Sequence, residues 1–134
     1  MSLVAVQSYK VQSTLSAQRF VAFVSGTADT VQYPESAQNF VVGITLDSVV
    51  DTTSSIPVCG PGSVAKVYFN DTVTAGQPVK SDTSGRAVPI SLSNTTTSVT
   101  LTSCYCGILA GASVAATGTI AKVFFCPGFV RTSA

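Results

Sequence analysis

The chain has 134 residues, enough for one domain, with charge at only 10% of positions and a formal net charge of +1. Its seven basic residues (Lys10, Arg19, Lys66, Lys80, Arg86, Lys122 and Arg131) are scattered, which argues against a phosphate-neutralising stripe and predicts no nucleic-acid partner. The most apolar run, CGILAGASVAA at 106–116, is too short and too rich in small residues to cross a bilayer, so no membrane partner is expected; MSLVAVQSYK lacks the basic start and long apolar stretch of a secretory signal.

Val, Ser and Thr dominate, His and Trp are absent, and mean hydropathy is +0.44. These are β-formers with few helix-formers among them. A solvated monomer normally carries more charge, about 25% of residues in an average domain. The composition therefore predicts that part of the outer surface faces another protein.

In chain order, LVAVQSYKVQ (3–12) alternates loosely and reads as extended. RFVAFVS (19–25) is apolar on both faces, with Phe20, Ala22 and Val24 opposite Val21 and Phe23, so a strand buried on two sides is expected. Ser25-Gly26-Thr27 ends it, and YPES (33–36) reads as a turn or loop. NFVVGITLDSVV (39–50) is the next strand run, with Gly43 inside it; a strand glycine marks a bulge or a close backbone approach. DTTSSIP reads as a polar loop, with an edge strand as the alternative, and VCGPG (58–62) as a turn. VAKVYF (64–69) then points Ala65, Val67 and Phe69 one way and Val64, Lys66 and Tyr68 the other.

Asp82-Thr83-Ser84-Gly85 has the Asp and Gly of a type I turn closed by a left-handed glycine, so Gln77–Ser81 and Arg86–Ile90 are predicted to form a hairpin. SLSNTTTS (91–98) reads as a polar loop or weak strand, and VTLTSCYCGIL (99–109) as a strand. In AGASVAATG (110–118) only SVAA could start a helix, and it is short. IAKVFF (120–125) follows, then CPGF and a polar tail.

The repeat of VAKVYF as IAKVFF extends backwards. Phe40-Val41-Val42-Gly43-Ile44 precedes the first copy and Tyr105-Cys106-Gly107-Ile108-Leu109 the second, which reads as an internal duplication of a β-β-turn-β unit. The fold expected is all-β, a small barrel or sandwich of two related half-units, about 19–70 and 71–129, in one domain over 19–134. Residues 1–18 are expected to be an extended N-terminal arm.

Chemistry is poorly supported. Without His the commonest general base is missing, and no nucleophile-elbow or phosphate-cradling glycine motif is present, so no enzyme and no cofactor are predicted. Asp47 and Asp51 share a loop and are read as turn caps rather than an acid/base pair or calcium site. Cys59, Cys104, Cys106 and Cys126 are read as buried thiols, with disulfides or a four-cysteine zinc site as alternatives; the usual two-residue spacing between zinc cysteines is absent.

The order of phrases resembles the head decoration, or capsid cement, proteins of tailed bacteriophages. The phrases are Phe40-Val-Val-Gly-Ile44, Val64-Ala-Lys-Val67, Thr74-Ala-Gly-Gln-Pro-Val79, Asp82-Thr-Ser-Gly-Arg86, Gly107-Ile108, and Ile120-Ala-Lys-Val123 with Cys126-Pro-Gly128. The match spans about residues 19–128. Two features depart from the family: the pair Cys104 and Cys106, and Gln77 where an acidic residue is common. The resemblance implies a β-rich, non-catalytic virion protein on the outer face of a capsid, made in the host cytoplasm. It would bridge neighbouring major capsid protein subunits, often as a homotrimer.

The extended arm then has a use. Ser2, Leu3, Val4, Val6, Tyr9 and Val11 are expected to bind the capsid by adding a strand to a subunit's sheet edge. Low charge predicts a contact that depends weakly on salt. The alternative function is a phage fibre or surface module recognising a host glycan or receptor, although glycan platforms usually need more aromatics than Tyr9, Tyr33, Tyr68 and Tyr105 supply.

Overall fold

A computed structural model describes residues 6–35, 40–90, 101–114 and 116–132, with the side chains of 101–105 and 128–132 left out. Ten strands follow in order: β1 (Val6–Val11), β2 (Phe20–Phe23), β3 (Thr30–Gln32), β4 (Val41–Thr45), β5 (Ser55–Cys59), β6 (Val64–Tyr68), β7 (Pro78–Ser81), β8 (Ala87–Pro89), β9 (Leu101–Leu109) and β10 (Ile120–Thr132). No helix forms among the described residues. The fold is all-β, as the composition predicts.

The chain divides at Gly60–Ser63. The first five strands close into a barrel in the order β1-β3-β2-β4-β5, and the last five form a sheet in the order β6-β10-β9-β7-β8. Each has its own apolar work. Val11, Leu15, Val21, Val31, Val49, Ile56 and Val58 fill the barrel. A second core lies where the barrel wall meets the sheet; Phe20, Val41, Ile44 and Cys59 enter it from the barrel, and Val67, Phe69, Val79, Leu109, Val123 and Phe125 from the sheet. Strand periodicity makes this possible, because successive residues leave opposite faces. Val58 therefore points into the barrel while Cys59 points at the sheet.

The two strand glycines hold the ladders close. A Cβ on Gly43 would collide with Val58 and the backbone of Cys59 on β5, and one on Gly107 with the backbone of Phe124 on β10. The close approach expected at Gly43 is therefore present, and the second half repeats it. β4 also carries a bulge: Val21 faces Gly43 but Ala22 faces Val41, so Val42 is the extra residue.

Strand β3 lies in a stretch for which no element is predicted. Three readings are corrected. DTTSSIP, read as a loop with an edge strand as the alternative, and VCGPG, read as a turn, contribute β5, which is a strand but an interior one between β1 and β4, and the turn is confined to Gly60–Gly62. Pro57 is tolerated there because Leu46 N–H donates to Pro57 O (3.0 Å) where the β4–β5 ladder ends, so no further N–H is required. CPGF does not stop β10, which continues to Thr132 through a register shift between Phe125 and Gly128. In SVAA, Ser113 and Val114 are not helical; Val114 instead exchanges two backbone hydrogen bonds with Val73 (3.0 and 2.8 Å). The 91–98 segment lies outside the described residues.

The repeated strands have an unexpected relation. β6 and β10 are hydrogen-bonded to each other, antiparallel, with Lys66 opposite Lys122 at the centre. Ala65 faces Val123 and Val67 faces Ala121, so the two copies complement one another about that lysine pair. A sequence with its core residues on alternate positions can pair with its own copy and keep every core side chain on one face. The first copy thus belongs to the second sheet, and the sheet boundary falls before it rather than near residue 70.

Candidate interaction surface

The hairpin is built as expected. The Asp82 carboxylate accepts from Ser84 N–H (2.9 Å), Arg86 N–H (2.9 Å), Arg86 Nε (2.9 Å) and Asn70 Nδ2 (3.1 Å). Gly85 has φ 75° and lies under Phe20 O, which fixes the hairpin against the barrel. The other loop carboxylates are used locally. Asp47 accepts from Ser48 N–H (2.8 Å), Asp71 from Thr72 N–H (2.7 Å) and Asp51 from Thr53 N–H (2.9 Å). The bonds from Thr53 hold the Asp51 carboxyl below the usual carboxylate range. Asp47 and Asp51 are turn caps, as read.

Cys59 and Cys106 are buried in the core between barrel and sheet, and Cys126 is half-buried. Burial pushes the Cys59 thiol above the usual thiol range, opposed by its hydrogen bond to Ile44 O (3.5 Å). Among the described residues, no three His, Cys, Asp or Glu side chains gather where a metal could bind.

Tyr9, Tyr33 and Tyr68 have structural tasks. Tyr33 Oη accepts from Ser16 N–H (2.7 Å), the Arg19 guanidinium lies 4.5 Å from the centre of the Tyr68 ring, and Tyr9 meets Phe23 edge-on at 5.3 Å.

Of the residues expected to bind a capsid, Ser2, Leu3 and Val4 lie outside the described residues. The rest are extended, but not as a free arm. Val6–Lys10 pair antiparallel with β5, and Lys10–Val11 pair parallel with β3. Val11 is buried inside the barrel, Tyr9 is half-buried, and Val6 is 48% exposed. One edge of Val6–Lys10 is occupied by β5, and the other is paired with β3 only at Lys10 and Val11. Removing β1 would open the barrel, so a deletion through residue 12 would not leave the fold intact.

The exposed apolar side chains fall elsewhere. Phe23, read as buried, is 47% exposed and lines a barrel groove with Phe40, Val42, Gln12, Gln32 and Glu35. The outer face of the β6–β10 ladder carries Val64 (52% exposed), Ile120 (46%) and Phe124 (40%) around the exposed Lys66 and Lys122. The strand alternation of VAKVYF and IAKVFF already put these residues on one face; only the pairing of the two strands joins them into one surface.

No protein-family model matches the chain, and no curated protein matches it in sequence. Solved structures do match. One is the crystal structure of the N base of head fibre gp8.5 in bacteriophage phi29, with a TM-score of 0.66 at 14% identity over 98% of both chains. The likeness is one of fold, and it spans the barrel and the sheet together.

Proposed function

We propose that the chain is a structural virion protein of a bacteriophage, seated on the outside of the capsid, where it bridges neighbouring major capsid subunits. The fold it shares with a phage head fibre base over 98% of both chains carries this reading. Three other observations support it. The ordered phrases from Phe40 to Gly128 resemble capsid cement proteins. The low charge suits a chain whose surface is partly covered. The loop carboxylates are committed to turns rather than to a convergent catalytic site.

Two interlocked β layers make a stiff body, which suits a clamp that resists pressure on a shell. The N-terminal segment contributes Val6 and Tyr9 to the capsid contact, and the assembled form is a homotrimer.

The test is to add purified protein to assembled shells that lack it and measure co-sedimentation and the shells' resistance to heat. Saturable binding that raises the disruption temperature is expected. A protein that stays in the supernatant at micromolar concentration would sink the reading.

A further inference from the structure

We propose that the outer face of the β6–β10 ladder is a docking surface for an acidic segment of a protein partner, held by Lys66 and Lys122 together. The proposal rests on the capsid reading above, with the acidic segment on the shell.

The register carries the argument. Phe69 N–H donates to Thr119 O and Phe125 N–H to Ser63 O (both 2.8 Å), which places the hydrogen-bonded pairs of this ladder at odd positions. Lys66 and Lys122 therefore form a non-hydrogen-bonded pair, the type in which backbones come closest and side chains crowd. Like charges directly opposite in a sheet oppose folding.

Among the described residues, neither lysine forms a salt bridge. Lys66 sits between two shallow depressions. One is lined by Thr45, Leu46, Val64 and Ala65, the other by Ser113, Val114, Ile120 and Lys122; among the described residues, none lining either is acidic. All six acidic residues of the chain lie in loops, and Asp82 is taken by Arg86. Among the described residues the ladder thus keeps an unfavourable pair that a carboxylate would relieve, and a local rule broken in this way marks a functional site.

The surroundings select the class of partner. Val64, Ile120 and Phe124 flank the two lysines along the same face with exposed apolar area. A nucleic acid is held by rows of cations along its phosphates. An apolar patch with a small charged centre instead fits a protein segment that sets one or two Asp or Glu side chains among apolar ones.

The experiment compares wild type with Lys66→Glu, Lys122→Glu, the double reversal, and Lys80→Glu on β7 as control. Each is measured for binding to shells lacking the protein and for its own melting temperature. Each single reversal is expected to weaken binding about tenfold, and the double about a hundredfold, with Lys80→Glu near wild type. The single reversals are expected to melt higher than wild type, because each puts opposite charges across the ladder. This rise separates a lost contact from a damaged fold.

Wild-type binding that survives the double reversal overturns the docking surface alone. Absence of wild-type binding overturns the capsid reading and the docking surface with it. Retention of a short DNA duplex that the double reversal abolishes, with shell binding unaltered, overturns the choice of a protein partner.

Discussion

Phe20 and Val21 are consecutive in β2, yet they serve different cores: Phe20 meets Phe125 of the sheet at a ring separation of 6.4 Å, while Val21 points into the barrel. One strand thereby ties both layers. Replacing Phe20 with Ala is expected to cost about 3–5 kcal/mol, and Val21 with Ala about 2 kcal/mol. In urea titrations followed by circular dichroism, both should shift a single transition. Two transitions, each answering to one variant, would show that barrel and sheet fold separately.

Gly107→Ala should be among the most damaging small substitutions in the chain. The new methyl group would press on the backbone of Phe124, which cannot rotate away as a side chain can. A loss of about 3 kcal/mol is expected, at the upper end of overpacking. Gly26→Ala is the comparison: a Cβ there meets nothing within 4 Å, and only its φ of 81° resists, worth about 1–2 kcal/mol. If denaturation ranks the two the other way, the close approach of β9 and β10 is not the constraint it is taken to be.

In the hairpin, Asp82 matters more than the ion pair it makes. Asp82→Ala removes acceptors for two backbone N–H groups as well as for Arg86 and Asn70, and should cost about 2–3 kcal/mol. Arg86→Ala removes the pair but keeps the turn. With the Arg86 side chain 32% exposed, its loss should stay below about 1 kcal/mol. Equal losses in thermal melts would contradict this division.

Cys59 gives the fold an alkaline weakness. Its thiol is held above the usual range by burial, so the folded chain keeps a proton that the unfolded chain releases. The unfolded state then binds fewer protons, and stability falls as pH rises past about 8.5, the ordinary thiol value. Cys59→Ala should lower stability at pH 7 but flatten the slope between pH 8.5 and 10 (a window set by the ordinary thiol value). An unchanged slope in the variant would assign the alkaline loss to other groups.

What could be read in the residues was local. The Asp82–Gly85 hairpin was legible because a side-chain acceptor and a left-handed glycine specify a turn within four residues. Strand β5 was legible only as an alternative, since DTTSSIP is rich in Ser and Thr and ends in a proline; it is an interior strand because β1 and β4 flank it and Pro57 falls at a ladder's end. Phe23 misled for a related reason. Its strand is apolar on both faces, but the inner positions go to Phe20, Val21 and Ala22, leaving the fourth residue at the rim of a groove.

The sequence by itself determined the all-β class, the turn at Asp82, the close approach at Gly43 and the alternation that puts Lys66 and Lys122 on the faces opposite the core residues of their strands. It did not determine that those strands pair with each other, nor that Val6–Val11 is a barrel stave instead of an arm. Periodicity records which face of a strand is buried, and it is silent about which neighbour supplies the hydrogen bonds. Only the tertiary structure decides that, because a ladder forms between segments brought together by the cores on either side. The docking surface proposed for the lysine pair exists only as a product of that choice.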